Sequence, residues 1–308
     1  MTRDRSRELH AQVEAWRAER YAALRRPIGW LTLVGLSWLV EGENRVGTDA
    51  RSAVRLPTGP PQAGTITVHG RELRATSAPG GFTHGAAPVE GLRLTADVDA
   101  SDGVPTMLEL GTLRLGVIGR GPGGVRLGVR IWDTDSLART SFLGIDHWPV
   151  DPGWVVRARF APAEPDTRIR VPDVIGEVSD EPSPGDVIFR RAERRHRLRG
   201  LRGGPNGELW LVFADTTSGA ESYAGGRFVY TDAPDADGYV TVDFNRAYNP
   251  PCVFSPYATC PLPPEGNRLD LRVEAGEMMY RPAPGAVTPH KSAADTSREP
   301  NAPDPRVD

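Results

Sequence analysis

Alternation of apolar and polar residues over short runs limits what this chain can fold into. Val125, Leu127, Val129 and Ile131 fall on one face of an extended chain, and Arg126, Gly128, Arg130 and Trp132 on the other. Trp154, Val156, Ala158 and Phe160 repeat the pattern opposite Arg157 and Arg159, and Thr65–His69 alternates likewise. Turns stand between these runs, at Glu41–Asn44, Pro60–Pro61, Pro79–Gly81 and Gly119–Gly124. They draw on 34 glycines and 29 prolines in 308 residues. Short strands with a turn after each predict a mainly β protein built as sandwiches or barrels.

One segment departs from this pattern. Leu9, Val13, Trp16 and Leu24 recur at helical spacing, and Pro27 and Gly29 close the run, so residues 4–25 read as an amphipathic helix. The expected layout is an N-terminal helix (1–28), a β-sandwich (29–120) and a C-terminal antiparallel β-barrel or sandwich (125–280). The last strand of that layout is Leu269–Val273, and a Pro-rich loop lies around 180–185. Residues 281–308 carry Pro, Ala, Ser and charge without periodicity, which predicts a disordered tail.

Charge and composition exclude several partners. The net charge is -3, so no global field draws the chain to nucleic acid. The basic run Arg190–Arg199 has no aromatic side chain interleaved and reads as a solvated hairpin. No apolar run is long enough for a membrane span, and no apolar core follows the charged N-terminus as in a signal peptide. A cytoplasmic protein is the expectation. Of 37 basic residues only Lys291 is lysine, and the arginine fork suits carboxylates and phosphates.

Two resemblances follow from motifs. Gly42-Glu-Asn44-Arg-Val-Gly47 and Leu108-Glu-Leu-Gly111 resemble, in order and spacing, elements of a forkhead-associated domain over residues 30–119. The likeness implies shape. Thr48 stands where that family has a phosphate-pairing arginine, and Gly64-Thr-Ile-Thr67 stands where it has Ser-x-x-His. The resemblance makes a protein-docking module the alternative function. The chain also resembles a bacterial family filed as domain of unknown function 1684. Three segments carry that likeness: Gly29–Asn44, Phe213–Phe228, and Asp243–Cys252 continuing through Cys260–Pro264 to Leu269. It extends over about 10–277 and implies no particular reaction.

Residues 241–269 concentrate the candidate chemistry. The stretch holds both cysteines, Cys252 and Cys260, among Pro250, Pro251, Pro256, Pro261, Pro263 and Pro264. Each proline fixes its own φ and restricts the residue before it, so the stretch reads as a rigid wall. Candidate ligand-binding residues are Arg130, Asp133, Ser218, Arg227, Asn245, Tyr248, Asn267 and Arg268, converging at one end of the C-terminal domain. Asp215, Asp243 and Cys260 are the catalytic candidates, the carboxylates for acid–base work and the thiol as a nucleophile. The two thiols are expected to pack inside the wall as small apolar groups. A disulfide, or zinc with His69, His84, His147 or His196, are the alternatives, although the spacing is not Cys-x-x-Cys. Thr217-Ser-Gly219 is not a nucleophile elbow. The expected ligand is an anionic or carboxylate-bearing small molecule, bound or transformed in a polar cleft, with the cofactor unspecified.

Overall fold

The computed structural model describes residues 3–282 and 285. Most of the segment expected to be a disordered tail, 283–284 and 286–308, lies outside the described residues. The first helix, α1, spans Arg3–Leu24. Its Val13 and Leu24 are buried, and it lies over the short 3-10 turn Phe244–Arg246 of the C-terminal half.

Two sheets make the N-terminal sandwich. One has five strands, ordered Val54–Arg55, Gly42–Gly47, Gly64–His69, Glu72–Ser77 and Leu92–Leu94. The other has six and is centred on Leu113–Arg120, which pairs antiparallel with Arg126–Asp133. The inward faces of both sheets, including Val46, Ile66, Leu73, Leu115, Val117, Val129 and Ile131, form one core. The Gly42–Gly47 segment is a strand and serves this fold. Asn44 is fully buried, its Nδ2 donating to the Val40 and Gly42 carbonyls at 2.8 and 3.1 Å and its Oδ1 accepting from the Val40 N–H at 3.0 Å. A Cβ at Gly47 would come within 2.0 Å of the Pro61 carbonyl oxygen, so only glycine fits.

The strand at Arg126–Asp133, expected to open the second half, belongs to the first. It lies between Leu113–Arg120 and Leu33–Trp38. The glycine-rich loop Gly119–Gly124 is therefore a hairpin within the sandwich. The boundary shifts beyond Asp133 because alternation fixes a strand's faces but not its neighbours.

The C-terminal half is one six-stranded antiparallel sheet. Its order is Arg227–Tyr230, Leu209–Phe213, Arg194–Arg202, Gly185–Arg191, Val155–Pro162 and Tyr239–Asp243. A bridge from Thr231 to Val242 brings its two edges back towards each other, so the sheet curls into a half-barrel. The basic run forms a hairpin with Ala192 and Glu193 at positive φ in the turn. Inside the curl, Ala158, Val187, Phe189, Leu198, Leu211, Phe213 and Val240 pack with Trp154 and Phe244.

The outer face of the same sheet is also covered. Leu201, Val212 and Phe228 pack there against Cys252, Ala258 and Cys260, with Trp210 and Tyr248 partly buried beside them. This explains why Leu209–Phe213 is apolar on both faces. A small hairpin, Arg168–Pro172 with Val178–Pro182, flanks the cover, and its second strand falls where a loop was expected. Leu269–Val273 is not a strand. Its Leu269 and Val273 are buried, and Ala214 bridges to Arg268 beside it.

Candidate functional site

A cleft of about 500 Å3 opens where α1, the sandwich and the outer face of the half-barrel meet. Each wall comes from a different part of the chain. Helix α1 contributes Trp16 and Arg20, one turn apart. The sandwich contributes Arg120 and Arg130 from adjacent strands, with Trp30 just ahead of its first strand. The half-barrel contributes Trp210, Phe228 and Tyr230. The Pro-rich stretch closes the cleft with Tyr248, Pro251, Phe254, Thr259, Cys260 and Pro261.

The aromatic walls are ordered by mutual contact. Trp210 meets Phe228 edge to face at 4.9 Å, and Tyr248 meets Phe228 likewise at 5.7 Å. Tyr230 lies nearly parallel to both Trp210 and Tyr248, with centroids 6.3 Å apart in each case. Burial and the neighbouring Tyr230 hold the Tyr248 phenol well above its ordinary range, so it stays protonated.

Three guanidinium groups reach the cleft, and their surroundings differ. Arg20 is paired with the fully buried Glu277, Nε to Oε1 at 2.5 Å, and donates to the Asn249 carbonyl at 2.9 Å. It also sits 4.5 Å from the Tyr248 ring centre. Arg120 is paired with Asp97 at 2.9 Å, and its Nε donates to Thr259 Oγ1 at 3.2 Å. Arg130 is 8% exposed and has no carboxylate partner among the described residues. Its one hydrogen bond runs from Nη2 to the same Thr259 Oγ1 at 3.4 Å, and its Nε is buried without a partner. The Trp30 ring lies 5.1 Å away. Burial, and then the like charge of Arg120, bring its pKa down to about 10, so it remains a cation at neutral pH. A second donor of the cleft, Trp210 Nε1, is also buried without a partner.

Of the residues proposed from sequence, Arg130, Tyr248 and Cys260 meet at this cleft. The others lie elsewhere, and all but Arg268 are engaged in structure. Arg227 is fully buried and donates to the Ala275, Val273 and Glu277 carbonyls at 2.5, 2.8 and 3.3 Å. It also reaches Asp215 Oδ1 at 3.4 Å. Asp215 in turn accepts from the Val273 N–H at 2.7 Å and from Thr217 and Ser218. Asp243 caps the Phe244–Arg246 turn and pairs with Arg246 at 3.3 Å. Asn245 braces the Asp151 backbone, and Asn267 bridges Arg199 to Val212. Asp133 holds the turn after its strand through the Asp135 N–H, and Arg268 is exposed. The expected meeting of Asp215, Arg227, Asp243 and Tyr248 in one cavity is therefore replaced by an ion pair, a turn cap and a cleft. Polar side chains in loops here satisfy backbone groups before they serve a ligand.

Both thiols are free. Cys252 is fully buried and Cys260 is 4% exposed, with the Cys252 N–H donating to Cys260 Sγ at 3.1 Å. Burial and the adjacent Cys252 push the Cys260 thiol well above its ordinary range, the wrong direction for a nucleophile. Among the described residues no group of three or more His, Cys, Asp or Glu is placed to hold a metal. No described helix is long and apolar enough to cross a membrane.

Residues 140–278 match the model of a family described as "Protein of unknown function (DUF1684)". The likeness is of this segment of the chain. The match covers the half-barrel and the Pro-rich wall and is shorter than the 10–277 likeness expected from motifs. The DUF1684 segment therefore supplies Trp210, Tyr248 and Cys260, while α1, Arg120 and Arg130 lie outside it. An uncharacterized protein of Haloarcula marismortui, solved by solution NMR, is 31% identical to this chain. The likeness covers 46% of this chain and 78% of that one, with a TM-score of 0.38. No curated protein matches the chain.

Proposed function

We propose that the cleft binds a small anionic molecule, with Arg130 as its charge partner. The uncompensated Arg130 carries this reading. Burying a cation without an ion-pair partner costs several kcal/mol, and the contacts Arg130 does have, one long bond to Thr259, the Trp30 ring and the field of Asp97, leave its Nε free. An incoming carboxylate would satisfy the free Nε and the loosely held Nη2, giving the two-pronged geometry an arginine favours. Trp210 Nε1 offers a further donor, and the aromatic walls would cover the apolar part of the molecule. The cleft lining includes no carboxylate and no histidine. With Cys260 held as a thiol, the arrangement supports binding over acid–base or covalent chemistry. A reducing, cytoplasmic setting with both thiols free belongs to this reading. The docking alternative on the forkhead-associated-like half has Thr48 where a phosphate would need an arginine, so the cleft is preferred.

Trp16, Trp30 and Trp210 all line the cleft, which makes intrinsic fluorescence the direct readout. Titration with benzoate should quench or shift the emission saturably in the wild type and leave Arg130→Met unchanged. An equal response from both proteins would overturn the assignment of Arg130.

A further inference from the structure

The cleft does not end at Arg130. A second cavity, of about 720 Å3, runs on between the sandwich and the small hairpin. Arg120, Trp210, Thr259 and Pro261 line both, so the two adjoin at these residues, beside the Thr259 that bonds Arg130. The far cavity is walled by Val98 and Val125 from the sandwich and by Val171, Val178 and Leu201 from the opposite side.

Solvent exposure singles out this groove. Among the described residues nine large hydrophobic side chains are exposed, and four of them line the two cavities: Tyr230, Val98, Val125 and Val178. The three valines are 47%, 69% and 46% exposed and face one groove. Isolated exposed aliphatics need no explanation, but a cluster in a concave surface marks a binding region.

The first cavity holds the cations Arg20, Arg120 and Arg130. The second carries both signs, Asp173, Glu177 and Glu181 with Arg126 and Arg202; Glu177 is taken up by Arg126, and Asp173 Oδ1 accepts the Ile175 and Glu177 N–H groups at 3.0 and 2.8 Å. Asp173 also bridges to Pro261, which lines both cavities. Arg130, without an ion-pair partner among the described residues, is therefore the place for an anionic head.

We infer that the adjoining cavities take an elongated amphipathic carboxylate, its head at Arg130 and an unbranched aliphatic chain laid along Val98, Val125 and Val178. This rests on the anion-binding reading of Arg130 and adds the class of molecule. A compact anion would leave the valine groove in water, whereas a linear chain covers it. Each methylene moved from water onto the groove should strengthen binding by up to about fourfold.

The test is a calorimetric series of linear carboxylates from butanoate to decanoate, on the wild type and on the double variant Val125→Thr, Val178→Thr. Val125 is 69% and Val178 46% exposed, and threonine keeps their shape, so the fold is retained. Wild-type affinity should climb several-fold for each two carbons added. The decanoate-to-butanoate affinity ratio should fall at least tenfold in the double variant. A flat series, with the short acids bound and their binding lost in Arg130→Met, would overturn the chain groove and leave the anion site standing. A series that climbs equally in both proteins would place the chain elsewhere and overturn the groove. Absence of binding for every member would overturn both readings.

Discussion

Arg227 and Arg130 are both buried arginines, and they teach opposite lessons. Arg227 is enclosed between the half-barrel and the segment 273–277, with three carbonyls and Asp215 around its terminal nitrogens. Trp148 and Phe213 lie at 4.9 and 5.5 Å from it. Burial lowers its pKa, and Asp215 opposes that shift. Arg130 has a cleft in front of it, one long hydrogen bond to Thr259 and a like-charged neighbour. Both leave Nε buried without a partner, so the difference lies in the terminal nitrogens: those of Arg227 are taken up by the protein, and those of Arg130 have only the bond to Thr259. A buried arginine therefore points to function when its partners are missing rather than when they are present.

Removing Arg227 should have the largest effect. Arg227→Met would leave Asp215, whose side chain is fully buried, without its cation, and the Ala275 and Val273 carbonyls without donors. Breaking a buried pair on one side costs about 3–5 kcal/mol, which urea unfolding would show as a lowered midpoint. A change near zero would mean that the pair is not structural, and the contrast with Arg130 would fail.

Glu277→Gln comes next. It takes the counter-charge from Arg20 and weakens the acceptor of the Asn249 N–H, which lies at 2.7 Å. The expected loss is about 2 kcal/mol, the scale of hydrogen bonds to charged groups. Hydrogen exchange should rise mainly in α1, the element that Arg20 anchors.

Arg130→Met should behave unlike either. Replacing an uncompensated buried cation with an apolar side chain of similar length should leave stability unchanged or raise it by about 1 kcal/mol, a rise of roughly 2–4 °C in Tm. Thr259→Val sharpens the point. Loss of the hydroxyl that bridges Arg120 and Arg130 should weaken benzoate binding by about 1 kcal/mol while changing stability little.

The smallest effect concerns pH. His147 touches α1 through Tyr21, Nδ1 to the phenol at 3.4 Å, and its Nε2 is buried without a partner. Burial, and then Arg17, lower its pKa below the ordinary 6.5. The folded state thus binds this proton less readily than the unfolded chain. Its contribution is present above pH 6.5 and is lost as pH falls through the depressed folded value. Mild acid should loosen α1 in the wild type, and His147→Asn should reduce that response.

Alternation made the strands legible. Thr65–His69, Leu113–Arg120 and Tyr239–Asp243 stand close to where period-two patterns place them. Pairing was not legible. Arg126–Asp133 carries the same pattern whichever sheet receives it, and its neighbours are set by packing far along the chain. The same cause divides the site residues. The Pro-rich stretch does form a wall, and Tyr248 and Cys260 could be proposed from it. Trp16, Arg20, Arg120 and Trp210 could not, because their convergence depends on how α1, the sandwich and the half-barrel meet. The amides Asn245 and Asn267 misled for a physical reason: irregular backbone around them needs buried hydrogen-bond partners, and they supply them.

Thermal unfolding of the wild type and Arg130→Met, each with and without millimolar benzoate, tests the central claim most directly. The account predicts a wild-type Tm that rises with the anion. It predicts a variant Tm at or above the unliganded wild type that the anion does not move. A variant that melts well below the wild type, yet is still stabilised by benzoate to the same extent, would contradict it.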